Sequence, residues 1–241
     1  MDYQPQPAEP AGVEATPNLI KRVILAFTAP ADLGAVLRRT SPWFWALAIV
    51  AIVGAVIMLL VPAEVLQASL EAQARARPEG QEAPDPETML VITRFGGAAS
   101  LLVFTFIAAF VVAGALYLAF NVVHGQDSTY KQHLSATAHV WWIGLLGSFI
   151  VLPIWISTQD MQTKLGLGLL LQDAPETFVG YLLNNITLFG LWMGTALGAV
   201  ESGLSGGRLT AGKGIGTVLA LYLIWVVFQA AVSTLFGGFG A

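Results

Sequence analysis

Residues 95–122 read FGGAASLLVFTFIAAFVVAGALYLAFNV, a run without one Asp, Glu, Lys or Arg between Arg94 and Asp127. A helix needs about 20 apolar residues to cross the hydrocarbon core of a bilayer, and this run exceeds that length. It shows no sustained alternation of the kind a membrane barrel strand carries. Backbone polar groups in lipid must be satisfied within the chain, so a span of this kind is a helix.

Four further stretches lack charged residues: Arg39 to Glu64, Lys131 to Asp160, Glu176 to Glu201, and Lys213 to the end. Together they predict five transmembrane helices at about 43–61, 95–122, 136–157, 178–200 and 214–236. The composition agrees. Hydrophobic residues make up 56% and charged residues 11%, against about 45–50% and 25% in soluble domains. The expected fold class is therefore all-α, a polytopic integral membrane helix bundle. A formal net charge of −4 provides no basic footprint for nucleic acid. There is no cysteine, which excludes disulfides and thiolate ligands.

Outside the spans the texture changes. Residues 1–17, MDYQPQPAEPAGVEATP, are rich in Pro and poor in apolar residues, and are expected to form a disordered cytoplasmic lead. Residues 18–41 place Ile20, Val23, Ile24 and Phe27, then Leu33, Val36 and Leu37, at helical spacing beside Lys21, Arg22, Arg38 and Arg39. This pattern predicts amphipathic helices in the headgroup region with their cations among lipid phosphates. The membrane domain then covers 42–236, with an outer loop at 63–92 and a tail at 237–241. That loop carries six acids against Arg75 and Arg77 before Arg94, a solvated face. Glu82, Asp85 and Glu87 are spaced by Pro in a way that builds no oxygen cage for a cation.

The first apolar run begins too far from the amino terminus for a cleavable signal, so that terminus is expected to be retained. Lys and Arg number seven in the amino-terminal segment, second loop and fourth loop, against four on the other side. The positive-inside rule then places the amino terminus in the cytoplasm and the carboxyl terminus outside.

Three features look like chemistry. GRLTAGKG at 207–214 follows the phosphate-loop pattern until Gly214, where a Ser or Thr would hold magnesium, and no strand precedes it. It is expected to be a cytoplasmic turn. His124, His133 and His139 are nine and six residues apart, whereas two ligands on one helical face usually stand three or four apart. His124 and His133 are expected in the inner loop, and His139 early in the third span, bonded to a neighbouring helix. No metal and no cofactor is expected. Asn184, Asn185 and Gln229 are the main amides within the spans, and such groups usually bridge helices; a substrate path is the alternative.

Gly190, Gly194 and Gly198 form GxxxGxxxG in the fourth span. Small residues four apart bare one helix face, for packing inside the bundle or against a partner.

Three stretches carry a family resemblance. HGQDSTYKQHLSATAHVWWIGLLGSFIVLP resembles the inner loop and third span of the Ypt-interacting protein (Yip) domain family. LNNITLFGLWMGTALGAVESGLSGGRLTAGKGIG is similar to its penultimate span and the basic turn after it, and FTAPADLGAVLRRTSPWFWAL to its amino-terminal entry. The resemblance spans roughly residues 19–236. It implies a five-helix domain with a cytoplasmic amino terminus and no catalytic residues, and the helical charged outer loop resembles the bacterial branch, hence a bacterial inner membrane. Eukaryotic relatives contact small GTPases, but a long structured cytoplasmic domain is missing here, which counts against that contact.

The expected function is a non-enzymatic membrane scaffold or accessory whose partners are the lipid bilayer and other membrane proteins or a second copy of itself. The alternative is a transporter or channel component, such as one linked to an export system. The charge distribution sets a first test. A reporter active only in the cytoplasm is expected to work when fused after Arg39 or Ser205 and to be silent after Glu82; activity at Glu82 overturns the orientation.

Overall fold

The computed structural model describes residues 16–75, 85–171 and 177–236. Most of the lead, positions 76–84 of the acidic loop with Glu82, positions 172–176, and the tail lie outside the described residues. The described chain is all-α, apart from one isolated antiparallel bridge between Gly166 and Thr187.

Helix boundaries follow local chemistry. α1 (Leu19–Thr28) is capped by Asn18, whose side chain accepts from the Lys21 amide at 2.9 Å, and α2 (Pro30–Arg39) begins on a proline. Proline lacks an amide hydrogen and suits a first turn. α3 (Phe44–Leu60) stops before Pro62, and α4 (Ala63–Arg75) leaves at 86° to it. α5 (Pro86–Val91), capped by Asp85, runs through a π turn at Ile92–Gly96 into α6 (Gly97–Tyr117) and a second π turn at Leu118–Val123. The Thr88 amide and hydroxyl both donate to Asp85, which holds that carboxyl below the usual carboxylate range.

α7 (Tyr130–Thr158) opens with a Thr129/Gln132 capping box and ends at Gln159, whose φ is 53°. α8 (Phe178–Asn185) and α9 (Leu188–Leu204) are separate helices, and α10 (Ala211–Phe236) closes the described chain.

Among the described residues, three helices are long and apolar enough to cross a membrane: Pro86–Val123, Tyr130–Thr158 and Ala211–Leu235. The bent pair Phe44–Leu60 and Ala63–Ala72 passes as a fourth if taken together. The structure thus differs from the five expected spans in two places. α3 alone has 17 residues, and the stretch 178–200 is not one helix, because the chain breaks at Ile186 and Thr187. Thr187 is the cause: its hydroxyl accepts from the Gly190 amide at 3.0 Å and starts a new helix. Phe104, Val111, Ile224 and Phe228 are each more than half exposed, the apolar outer surface that suits lipid rather than water.

Helices meet through small residues. Ala46 on α3, Ala109 and Ala113 on α6 and Ala138 on α7 form one buried cluster. A larger one joins Leu33 and Leu37 of α2 to Leu116, Val140, Val200 and Leu204. At two seams the backbones touch. A Cβ on Gly34 would lie 2.8 Å from the Gly203 Cα and 2.9 Å from the Leu204 nitrogen, and a Cβ on Gly198 would lie 2.6 Å from the Ile215 nitrogen and 2.7 Å from the Gly214 oxygen. α9 is thereby clasped by α2 on one side and α10 on the other. Gly194 differs, since its Cβ would meet only the mobile end of Leu219, at 2.9 Å.

That difference ranks two substitutions. Gly198→Ala is expected to lower the melting temperature in detergent by about 5–10 °C, the effect of overpacking against rigid backbone. Gly194→Ala is expected to cost less, because Leu219 can turn aside. Equal losses in a thermal aggregation assay would show that the α9–α10 seam is not a backbone contact.

Candidate functional site

His133 lies in the first turn of α7, not in the inner loop, because the Thr129 cap starts the helix before it. It is fully buried, as is Glu201 near the end of α9. The His133 Nδ1 stands 3.0 Å from one Glu201 carboxylate oxygen and 2.9 Å from the other. Its Nε2 stands 3.0 Å from the Asn121 Oδ1. The amide nitrogen of Asn121 donates to the Ser128 carbonyl, which leaves Oδ1 as the acceptor facing the ring.

The His133 Nε2 must therefore carry a hydrogen. A second proton lies between Nδ1 and the carboxyl group, so the pair is either imidazolium with carboxylate or imidazole with carboxylic acid. Phe120 stacks on the ring with centroids 6.3 Å apart, and Tyr117 meets it edge-on at 6.0 Å. From the inner loop, the Gln126 amide donates to the Glu201 carbonyl at 3.5 Å, and Ser128 donates to Gln126 at 3.2 Å.

His139 serves a different contact. It lies six residues further on, about 9 Å along α7 and on another face. Its Nδ1 donates to the Ser135 carbonyl at 2.8 Å, so its Nε2 accepts from the Arg22 Nε at 3.0 Å. Arg22 also donates to the Pro17 carbonyl. The expectation that Arg22 sits among lipid phosphates is corrected. α1 turns this side chain into the bundle and leaves Ile20 and Ile24 outside, 71% and 53% exposed. Burial pulls the guanidinium pKa down from its ordinary value. His124 is exposed and bonds the Thr217 hydroxyl at 2.8 Å. The three histidines thus go to three separate places.

At the end of the bundle away from His133, Asn184 and Asn185 close α8 just before the break. The Asn185 Oδ1 accepts from the Lys164 ammonium at 3.1 Å, and its carbonyl accepts from the Tyr222 hydroxyl at 2.8 Å; that hydroxyl in turn accepts from the Thr187 amide at 3.1 Å. Burial pulls the Lys164 pKa down. Residues 165–171, LGLGLLL, pack across the break: the Leu167 amide donates to the Ile186 carbonyl at 3.0 Å, and the Leu188 amide to the Leu165 carbonyl at 2.9 Å. Gln229 is half-buried on α10, about two turns beyond Tyr222.

Gly190 and Gly194 floor an apolar groove of about 570 Å³ between α6 and α10, with Val140 and Trp141 of α7 behind it. Gly198 lies beyond it, closed against α10. GRLTAGKG forms a turn, with Gly206 and Gly207 at φ 63° and 90°, that leads from α9 into α10. Its Arg208 pairs with Asp127 at 2.6 Å.

Glu201 is the residue that span reading missed, since it served only as the charge that ends the fourth run. Its spacing held a signal: Gly190, Gly194, Gly198 and Glu201 step by four, four and three, which aligns the acid with the glycine face. Compared with family models, with curated proteins and with solved structures, the chain finds no match in any of the three.

Removing one partner of a buried pair strands the other. Glu201→Ala is expected to lower stability by about 3–5 kcal/mol and Glu201→Gln by less, because the amide N–H can donate to the Nδ1 of a neutral ring whose hydrogen is on Nε2. Denaturation in mild detergent checks this, with His133→Gln completing a double-mutant cycle. Zero coupling between the two positions refutes the contact.

Proposed function

We propose that this chain is a non-enzymatic, Yip-like accessory protein of a bacterial inner membrane that binds other membrane proteins or shapes the bilayer. In this reading α8 and α9 together form an interrupted span, α3 forms a short one, and the five spans leave the amino terminus in the cytoplasm. The observation that carries the reading is the α1–α2 pair. Arg22 on His139 and Gly34 on Gly203 key it into the bundle, while Ile20 and Ile24 face outward from a fixed support. A rigidly held apolar ridge suits contact with a neighbouring helix or with acyl chains.

The transporter alternative has its own support. Helices broken within a span, with unwound backbone and polar groups at the break, mark substrate sites in transporters, and the α8–α9 break carries Lys164, Asn184 and Asn185.

Photo-crosslinkers at Ile20 and Ile24 in intact cells test the leading reading. They are expected to capture a defined membrane protein, and the Ile20→Ser, Ile24→Ser double variant is expected to reduce its co-purification about tenfold, the effect of losing two interface anchors, with melting unchanged. Unaltered co-purification, together with unaltered vesicle shape on reconstitution, refutes the scaffold. Solute flux in proteoliposomes that Lys164→Met abolishes favours the alternative.

A further inference from the structure

The groove between α6 and α10 has Val218 among its lining residues. Next to Val218, Thr217 bonds His124, at the end of the α6 rod, at 2.8 Å. Lys213, Thr217 and Leu221 stand at i, i+4 and i+8, so one face of α10 carries an exposed ammonium, that hydroxyl and then the groove wall. The lining is apolar: Val111 and Ala115 on α6, Leu221 and Trp225 on α10, and Gly190 and Gly194 as the floor. The Tyr222 hydroxyl is already engaged by Asn185 and Thr187. Besides the indole N–H groups of Trp141 and Trp225 the lining offers a ligand hydrocarbon surface, which suits an acyl chain.

We infer that this groove is a binding site for one anionic phospholipid, with an acyl chain along the α6–α10 cleft and its phosphate at Lys213 and His124. The volume, about 570 Å³, falls within the range of ligand pockets, about 300–1,000 Å³. A helix about 10–12 Å across fills roughly that much in a single turn, so a second copy's span does not fit the groove along its length. Charge decides the headgroup. Basic side chains at the inner mouth of an interhelical cleft attract anionic lipid heads, and Arg208, the nearby cation on the same turn, is already paired with Asp127. The inference depends on the helices lying in a bilayer and not on the scaffold reading.

Native mass spectrometry of the delipidated full chain tests the site, with phosphatidylglycerol and phosphatidylcholine of identical acyl chains as probes. One phosphatidylglycerol per chain is expected, held more tightly than phosphatidylcholine. Lys213→Ala at its exposed position is expected to weaken phosphatidylglycerol about fivefold, the effect of one surface cation, and to leave phosphatidylcholine unchanged. Ala115→Phe fills the cleft and is expected to weaken both lipids. Equal binding of the two lipids, indifferent to Lys213→Ala, overturns the inference. So does efficient disulfide crosslinking between two copies of Ala115→Cys, a clean probe in a chain without cysteine, because the groove is then a dimer contact. Loss of scaffold partners with lipid binding intact tells against the proposed function alone.

Discussion

Helices in lipid have no water-driven reason to associate, because acyl chains are as apolar as leucine. What holds them is close packing and hydrogen bonding, and α9 supplies both. Gly198 admits the backbone of α10 on one side, and Gly203 admits that of α2 on the other. The rest of the bundle depends on these two seams. With a side chain at either glycine, the neighbouring helix stands off and the shared van der Waals contact is lost. α2 is thus not a loose appendage, since it contributes Leu33 and Leu37 to the same buried cluster as α7 and α9.

The polar groups near the inner end build on that packing. Glu201 follows Gly198 by three residues and so is aimed at the bundle interior, where His133 is its partner. Asn121, Gln126 and Ser128 close the circuit between the end of α6, the inner loop and α9. A buried pair of this kind adds little net stability over an apolar replacement, yet it is costly to break. Its effect is therefore on geometry: it sets the register of α7 against α9. The Arg22–His139 bond does the same for α1, at a point about 14 Å along α7 from its start.

The half of the bundle that holds the α8–α9 break is built differently. There the chain interrupts its own helix at Ile186 and Thr187, and exposed backbone at that depth must find partners. Tyr222 from α10 and the 165–170 stretch provide them. The α9–α10 pair is consequently tight near the turn that joins them, through backbone contact, and bridged by a phenol near the α8–α9 break. Between the two, Gly190 faces Tyr222 and Gly194 faces the end of Leu219, α6 stands apart, and the groove is what remains.

The amino-acid sequence by itself determined the class: charge-free runs and their lengths mark apolar helices, because lipid tolerates little else. It also marked the glycine face and the helical character of residues 18–41, since both are periodic. Other features were decided only by tertiary structure. The His133–Glu201 and Arg22–His139 pairs join positions 68 and 117 residues apart, and no local period encodes such a distance. The inward turn of Arg22 follows from a ring on α7 that accepts its hydrogen bond, and the backbone freed at the break before α9 finds its partner in Tyr222. Periodicity reports which face of a helix is apolar; what stands opposite that face depends on how the helices are stacked.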